Sequence, residues 1–197
     1  MVMWMNTITS RGEARNILEC LSSTLIKAIV SIAIADVKTS RDLAKALNIS
    51  IRNAQRVLAI LEKLKVVKTV VYGRQKIIVS LNKYFEEEVI KAIEALVPVV
   101  ISSLRVPALK IHEHYREIAL AITKALGVDA NPKNTFVNAV KRLLEKGLEQ
   151  RPVPKWLKRL LSEPIAYSKR MASDSAEQPP LHSDIPLNVE VSELATY

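Results

Sequence analysis

The sequence predicts a mainly helical protein that carries a single short β-hairpin. Hydrophobic residues make up 49% of the 197 residues, yet only 5% are aromatic and only 4 are Gly. This composition is typical of helices packed around an aliphatic core. Apolar side chains recur at helical spacing along most of the chain, and a β-branched pattern replaces that spacing only between residues 66 and 81.

Two helices and a tight turn are expected first. Residues 13–36 predict one long helix, because six apolar side chains share a helical face. These are Ile17, Leu18, Leu21, Leu25, Ile29 and Ile32. Ser40 is expected to cap a second helix, whose apolar stripe contains Leu43, Ala44 and Leu47. Residues 48–50 predict a turn, since Asn48 tolerates the left-handed conformation and Ser50 can cap the next helix.

The third helix, residues 51–64, has an apolar face and a polar face. The side chains expected to face the core are Ala54, Val57, Leu58, Leu61 and Leu64. The opposite side carries Arg52, Gln55, Arg56, Ala59 and Lys63. The β-branched residues that follow predict a two-stranded hairpin with Gly73 near its tip.

The second half of the chain is also predicted to be helical. One helix runs through residues 83–104 and is expected to bend or break at Pro98, which lacks a backbone N–H. A second helix covers 109–126 and ends at Gly127. Further helices are expected within 135–148 and 154–164.

These elements divide the chain into three predicted regions. Residues 13–83 hold the first three helices and the hairpin, and residues 84–161 form a helical region. Residues 162–197 are acidic and rich in Pro and Ser, and they lose apolar periodicity. We expect this tail to be disordered.

Positive charge is concentrated in one segment, residues 38–83. Its eleven basic residues are Lys38, Arg41, Lys45, Arg52, Arg56, Lys63, Lys65, Lys68, Arg74, Lys76 and Lys83. Only Asp42 and Glu62 oppose them, so the excess of nine equals the net charge of the whole chain, +9. Charge localised in this way favours a polyanionic partner, although a lysine-rich solvated surface would look the same.

Residues 39–81 resemble the winged helix-turn-helix domain of archaeal and bacterial transcription regulators. The order of helix, turn, helix and hairpin matches that fold. The matching residues are Leu43, Ala44, Leu47, Ile49, Ser50, Ala54, Val57, Leu58 and Leu61. Asn48 stands where many members have Gly. Lys65 stands where Gly often ends the recognition helix, which suggests a slightly different helix exit.

The resemblance implies binding to double-stranded DNA. The expected contacts come from the recognition helix (Ser50, Arg52, Asn53, Gln55, Arg56 and Lys63), the wing (Tyr72, Arg74, Gln75 and Lys76) and nearby cations (Arg41, Lys45 and Lys68). Arg pairs bidentately with guanine, and Asn or Gln pairs with adenine. Cations on the wing suit phosphates.

Three alternatives stay open at this point. The polar face of the third helix can be a solvated surface without a partner. The domain can be a protein-interaction scaffold in a larger assembly, because many winged helices dock proteins. It can also bind DNA without sequence preference, as chromatin or plasmid-maintenance proteins do. For a regulator, we expect a homodimer through the helices of residues 84–126.

Several function classes have no support in the sequence. The single cysteine, Cys20, excludes an internal disulfide and a thiolate-rich zinc site, and we expect it in the core. His112 and His114 are two positions apart, which does not suit a metal site on a helix. No glycine-rich phosphate loop or catalytic triad occurs, so we predict a non-enzyme without a cofactor or metal.

The composition also bears on location. No apolar run is long enough to span a bilayer, and the first residues do not read as a signal peptide. We therefore expect a cytoplasmic protein without a membrane partner. The many Ile, Val, Lys and Glu residues favour a thermophilic origin.

Overall fold

The computed structural model describes residues 8, 10–73, 75–104, 110–148 and 151–162. Within these ranges the chain forms eight helices and one two-stranded antiparallel sheet, so the predicted mainly helical fold with a hairpin is confirmed. The elements are α1 (Arg11–Cys20), α2 (Ser23–Ile34), α3 (Ser40–Leu47), α4 (Ile51–Lys63), β1 (Val67–Tyr72), β2 (Gln75–Leu81), α5 (Lys83–Leu104), α6 (Tyr115–Ala125), α7 (Asn134–Lys146) and α8 (Lys155–Ser162). Apart from Ser162, the predicted acidic tail lies outside the described residues.

The predicted long first helix is wrong, because the chain is extended at Leu21 and Ser22 between α1 and α2. The guanidinium of Arg159 in α8 stabilises this break by donating to carbonyl oxygens at the end of α1. Its distances to the oxygens of Glu19 and Leu21 are 3.0 and 2.5 Å. Carbonyl groups in the last turn of a helix have no intrahelical partner, so a long-range donor lets the helix end here.

Cys20 was expected in the core but is exposed. It is the last residue of α1, and Leu18 is the nearby residue that α1 buries. Two positions along a helix correspond to a rotation of about 200°, so Cys20 points away from the face that Leu18 occupies.

Side-chain caps begin both α3 and α4, and a left-handed residue forms the turn between the two helices. Thr39, rather than the predicted Ser40, caps α3: its hydroxyl accepts from the N–H of Asp42, whose carboxylate accepts from the N–H of Thr39. Asn48 is left-handed, with φ of 48°. The hydroxyl of Ser50 accepts from the N–H of Asn53 at 3.2 Å and caps α4, as predicted.

The end of α4 has the geometry expected of a Gly, although Lys65 stands there. Lys65 is left-handed, with φ of 57°. Its N–H donates to the carbonyl of Glu62, and the N–H of Val66 donates to the carbonyl of Leu61. This is the Schellman pattern. The altered helix exit that Lys65 suggested is therefore not observed.

The hairpin pairs Val67 with Leu81 at its base and Tyr72 with Gln75 near its tip, with an irregularity between Lys68 and Thr69. Gly73 has φ of 60°, as the first loop residue of a primed hairpin turn requires. The other edge of β2 contacts the segment before α3, where the N–H of Ile78 donates to the carbonyl of Lys38 at 2.8 Å. The hairpin is therefore attached to the start of α3 as well as to the end of α4.

Helix α5 continues through Pro98, so the predicted break is absent. Helix α6 begins at Tyr115 rather than at 109, and residues 105–109 lie outside the described ranges. Gly127 ends α6 as predicted, with φ of 68°. Helices α7 and α8 match the predicted positions to within a few residues.

One hydrophobic core contains buried residues from both the first three helices and the later helices. The loop of residues 129–133 joins them: the N–H of Asp129 donates to the carbonyl of Ala46, and the N–H of Lys133 to that of Ile34. The ammonium group of Lys133 donates to the carbonyl of Ile32, and burial lowers its pKa. No helix in the described part of the chain has the length and apolarity to cross a membrane.

Replacing Lys65 by Gly is expected to stabilise the fold by roughly 0.5–1 kcal/mol. Gly removes the steric cost of the left-handed conformation, and the greater freedom of the unfolded chain offsets part of that gain. The matched control is Lys63→Gly, in the right-handed part of α4, which should cost about 1 kcal/mol. Urea unfolding of the three proteins measures both effects. Destabilisation by Lys65→Gly would contradict the assigned conformation.

Candidate nucleic-acid interface

The outer face of α4 is the best-defined polar surface of the predicted binding region. The inward residues are placed as predicted: Ala54, Val57, Leu58 and Leu61 are buried. The predicted contact residues on the same helix are all exposed: Arg52, Asn53, Gln55, Arg56 and Lys63, with Ser50 at its start. Because the helix is anchored on its inner side, these side chains point to solvent together.

Four of these outer side chains have no partner among the described residues. The side chains of Arg52, Gln55, Arg56 and Lys63 form no hydrogen bond or ion pair with any residue that the structure describes. Arg52 and Arg56 are one helical turn apart and therefore lie on the same side. An arginine without an internal partner keeps all its donors for a ligand.

Sequence reasoning missed two apolar side chains on this surface. Ile51 is 48% exposed and Ile60 is 44% exposed. Ile60 lies one turn after Arg56, so the exposed stripe of α4 contains both cationic and apolar groups. In a DNA major groove, apolar side chains of this kind contact thymine methyl groups. The sequence does signal the exposure of Ile60: it follows the outward-facing Arg56 by four positions, which places both side chains on the same side of the helix.

The two carboxylates of the basic segment are both engaged within the fold. Asp42 belongs to the cap of α3. Glu62 accepts from the hydroxyl of Thr69 at 2.6 Å and from the ammonium group of Lys76 at 2.5 Å. The hydrogen bond from Lys76, and then that from Thr69, lower the pKa of Glu62. Neither carboxylate pairs with the arginines of α4.

The predicted wing residues that the structure describes differ in their surroundings. Lys76 is half-buried and bound to Glu62, so it attaches β2 to α4 instead of standing free. Arg74 lies outside the described residues. The exposed residues near the tip are mainly apolar: Val70 is 50%, Val71 69% and Tyr72 77% exposed. Gln75 is exposed beside them.

Three further predicted contacts lie on α3 and β1. Arg41 and Lys45 are exposed and are one turn apart on α3. Lys68 is exposed on β1. None of these three side chains has a hydrogen bond or an ion pair to the described part of the chain. Lys38, by contrast, pairs with Asp36 at 3.2 Å.

The two histidines singled out in the sequence lie in the turn before α6 rather than in the helix. Nδ1 of His114 is 2.7 Å from a carboxylate oxygen of Glu117. No group of three or more His, Cys, Asp or Glu side chains within the described ranges could hold a metal ion.

No protein-family model matches this chain, and neither a curated protein nor a solved structure matches it at a significant level. The chemistry of its own surfaces is therefore the basis for assigning a function.

Glu62 is expected to make the stability of the protein depend on pH. Because its pKa is lowered in the folded state, the contribution of Glu62 is present above about pH 4.5 and is lost as the pH falls through the folded-state pKa. Thermal unfolding between pH 3 and 7 tests this. Glu62→Gln should unfold at a lower temperature than the wild type at pH 7, and the difference should narrow as the pH falls towards 3. The matched control is Glu145→Gln on α7, an exposed carboxylate whose nearest cationic partner is 3.9 Å away. A difference for Glu62→Gln that does not decrease between pH 7 and pH 3 would contradict this role.

Proposed function

We propose that residues 13–83 act as a winged helix-turn-helix domain and that the protein is a regulator that binds double-stranded DNA. In this proposal α3 and α4 are the helix-turn-helix, α4 is the recognition helix, and β1 and β2 are the wing. The observation that carries the proposal is the outer face of α4, where Arg52, Gln55 and Arg56 are exposed and have no partner in the described chain. No catalytic activity is part of the proposal.

The geometry of α4 suits recognition in the major groove. An α-helix fits this groove, and the amino-terminal residues of a recognition helix contact base edges. Here those residues are Arg52, Asn53, Gln55 and Arg56, which follow the cap at Ser50. Arg52 and Arg56 would read guanine, while Asn53 and Gln55 would read adenine.

Cations outside α4 supply affinity for the phosphate backbone. Arg41 and Lys45 on α3 and Lys68 on β1 are exposed and free of described partners. Each lysine or arginine that neutralises a phosphate releases a counterion, so affinity would fall steeply with salt. This function would place the protein in the cytoplasm with its DNA.

A regulator of this type would bind two half-sites as a homodimer through the helices of residues 84–126. Exposed apolar side chains on these helices support the idea: Val99 is 57% and Leu104 37% exposed on α5, and Leu120 is 38% exposed on α6. Two half-sites would make the target two-fold symmetric.

The second candidate function is a protein-interaction scaffold with a winged-helix domain. The exposed tip of the hairpin favours it, because Val70 and Tyr72 are exposed on one face of β1 and Val71 is exposed on the other. Exposed apolar patches of this kind mark sites for protein partners. A scaffold would bind its partner independently of salt and would not retain DNA.

The double variant Arg52→Ala/Arg56→Ala is expected to lower DNA affinity at least tenfold at moderate salt, since each base contact is worth about 1–3 kcal/mol. The target is obtained by retaining random duplexes on the purified protein across a salt series and sequencing them. An enriched, two-fold symmetric motif supports a dimeric regulator. Retention without a motif indicates an architectural protein.

The matched control for this variant is Lys155→Ala/Lys158→Ala, which removes two exposed positive charges from α8. It should leave affinity within about twofold, because rim charges distant from a site act only through screened electrostatics. Circular dichroism verifies that both double variants are folded. Unchanged binding by a folded Arg52→Ala/Arg56→Ala variant would refute the proposal.

Replacing Lys68 and replacing Lys76 are expected to have different effects on DNA binding, although both residues lie on the hairpin. Lys68→Ala should reduce the slope of log affinity against log salt by about one, as the loss of one phosphate contact does. Lys76→Ala should leave the slope nearly unchanged but destabilise the fold, because Lys76 is bound to Glu62. Fluorescence anisotropy across a salt series and urea unfolding separate the two effects. A slope for Lys76→Ala that is reduced as much as that of Lys68→Ala would show that Lys76 leaves Glu62 when DNA binds, and an unchanged slope for Lys68→Ala would exclude its phosphate contact.

A further inference from the structure

A long groove lies between α5 and α7, and none of the proposed DNA contacts lines it. Three adjoining cavities of about 550, 350 and 180 Å³ form it. The first two share Ile90 and Ala139, and the second and third share Leu143. The groove follows three turns of each helix, over residues 83–94 of α5 and 135–146 of α7.

The floor of this groove is apolar and its walls are charged. The floor consists of Ala33, Ile90, Phe136, Ala139 and Leu143. Ala33 and Phe136 are buried in the core, and Ile90, Ala139 and Leu143 extend the apolar surface outward between the helices. Apolar floors with polar walls are typical of grooves that hold an amphipathic helix.

The wall formed by α7 is basic. Its charged residues in the groove are Arg142 and Lys146, which are exposed and are one turn apart. Neither forms an ion pair with a residue that the structure describes. Lys141 on the same helix pairs with Glu145 at 3.9 Å, away from the groove. The α7 wall therefore presents two unneutralised positive charges along about 6 Å of the helix.

The wall formed by α5 carries both signs of charge. Lys83, Glu86, Glu87 and Lys91 have no ion-pair partner in the described ranges. Glu94 binds Arg151 at 2.8 Å. Only the α7 wall therefore favours one sign of charge on a partner helix, and that sign is negative.

A second copy of this chain does not offer such a helix among its described residues. The large exposed apolar side chains on the helices are scattered: α4 has Ile51 and Ile60, α6 has Leu120 and α8 has Leu161. None of these forms a row at three- and four-residue spacing. The exposed apolar residues of α5, Val99 and Leu104, are five positions apart.

We propose that the groove between α5 and α7 binds an amphipathic helix of another protein, with acidic residues along the edge that faces Arg142 and Lys146. The apolar stripe of that helix covers Ile90, Ala139 and Leu143. This surface goes beyond DNA binding, because it would connect the protein to a partner without using α4.

Two synthetic helical peptides of about 18 residues test the proposal. Both have the same stripe of leucines, and they differ only in whether Glu or Lys flanks one edge of it. Fluorescence anisotropy with the full chain should show that the acidic peptide binds at least tenfold more tightly. Arg142→Glu/Lys146→Glu should invert this preference, because the α7 wall becomes acidic.

The matched control exchanges the charges of a pair on the same helix, Lys141→Glu/Glu145→Lys. This variant keeps the net charge of α7 and should leave the peptide preference unchanged. Ala139→Gln, which places a larger polar side chain on the floor, should weaken the acidic peptide at least tenfold. Circular dichroism verifies the fold of each variant.

Four outcomes would overturn the proposal. They are equal affinity for the two peptides, no binding of either peptide, self-association of the chain that Arg142→Glu/Lys146→Glu abolishes, and a loss of DNA affinity in that same variant. The third outcome would assign the groove to a second copy of the chain. The fourth would assign it to nucleic acid. Because the peptide measurements do not involve α4, their failure is distinguishable from a failure of DNA binding.

Discussion

The carboxylate of Glu62 determines how the hairpin sits on α4. It accepts hydrogen bonds from Thr69 on β1 and from Lys76 on β2, so one side chain holds both strands. Thr69 and Lys76 therefore face α4, and the neighbouring residues of β1, Lys68 and Val70, face away from it. The same contact neutralises the carboxylate that lies nearest the outer face of α4. Because Glu62 is bound to Lys76, it does not pair with Arg52 or Arg56, and these arginines have no partner among the described residues.

Backbone carbonyl groups at the ends of α1 and α3 accept hydrogen bonds from residues that lie far away in the sequence. Arg159 donates to the end of α1, across 138 to 141 positions of sequence. The N–H of Asp129 donates to the carbonyl of Ala46 at the end of α3. An unsatisfied buried carbonyl is costly, so such contacts stabilise the packing of the later helices against the first three. The DNA-binding proposal and the groove proposal therefore concern surfaces of one packed core.

Periodicity predicted the features that depend on local sequence. The inner face of α4 was predictable because Ala54, Val57 and Leu58 recur at helical spacing, and the turn was predictable because Asn48 and Ser50 are suited to it. The break between α1 and α2 was not predictable, because Arg159 lies in a distant helix. The role of Lys76 was missed for a similar reason: a lysine beside a turn reads as a free cation until Glu62 is placed next to it. The groove between α5 and α7 depends on how three helices pack, which spacing alone does not encode.

The free edge of β1 has a consequence for the behaviour of the protein in concentrated solution. Within the described chain, β1 pairs with β2 on one side only, and Val70, Val71 and Tyr72 are exposed along it. An apolar strand with an open edge is a template for pairing with a strand of another molecule, which leads to aggregation. Lys68 is an exposed residue of this strand, and a charged side chain on an edge strand discourages such pairing. The charge of Lys68 thus opposes edge-to-edge pairing of two hairpins, in addition to any contact that it makes with a phosphate.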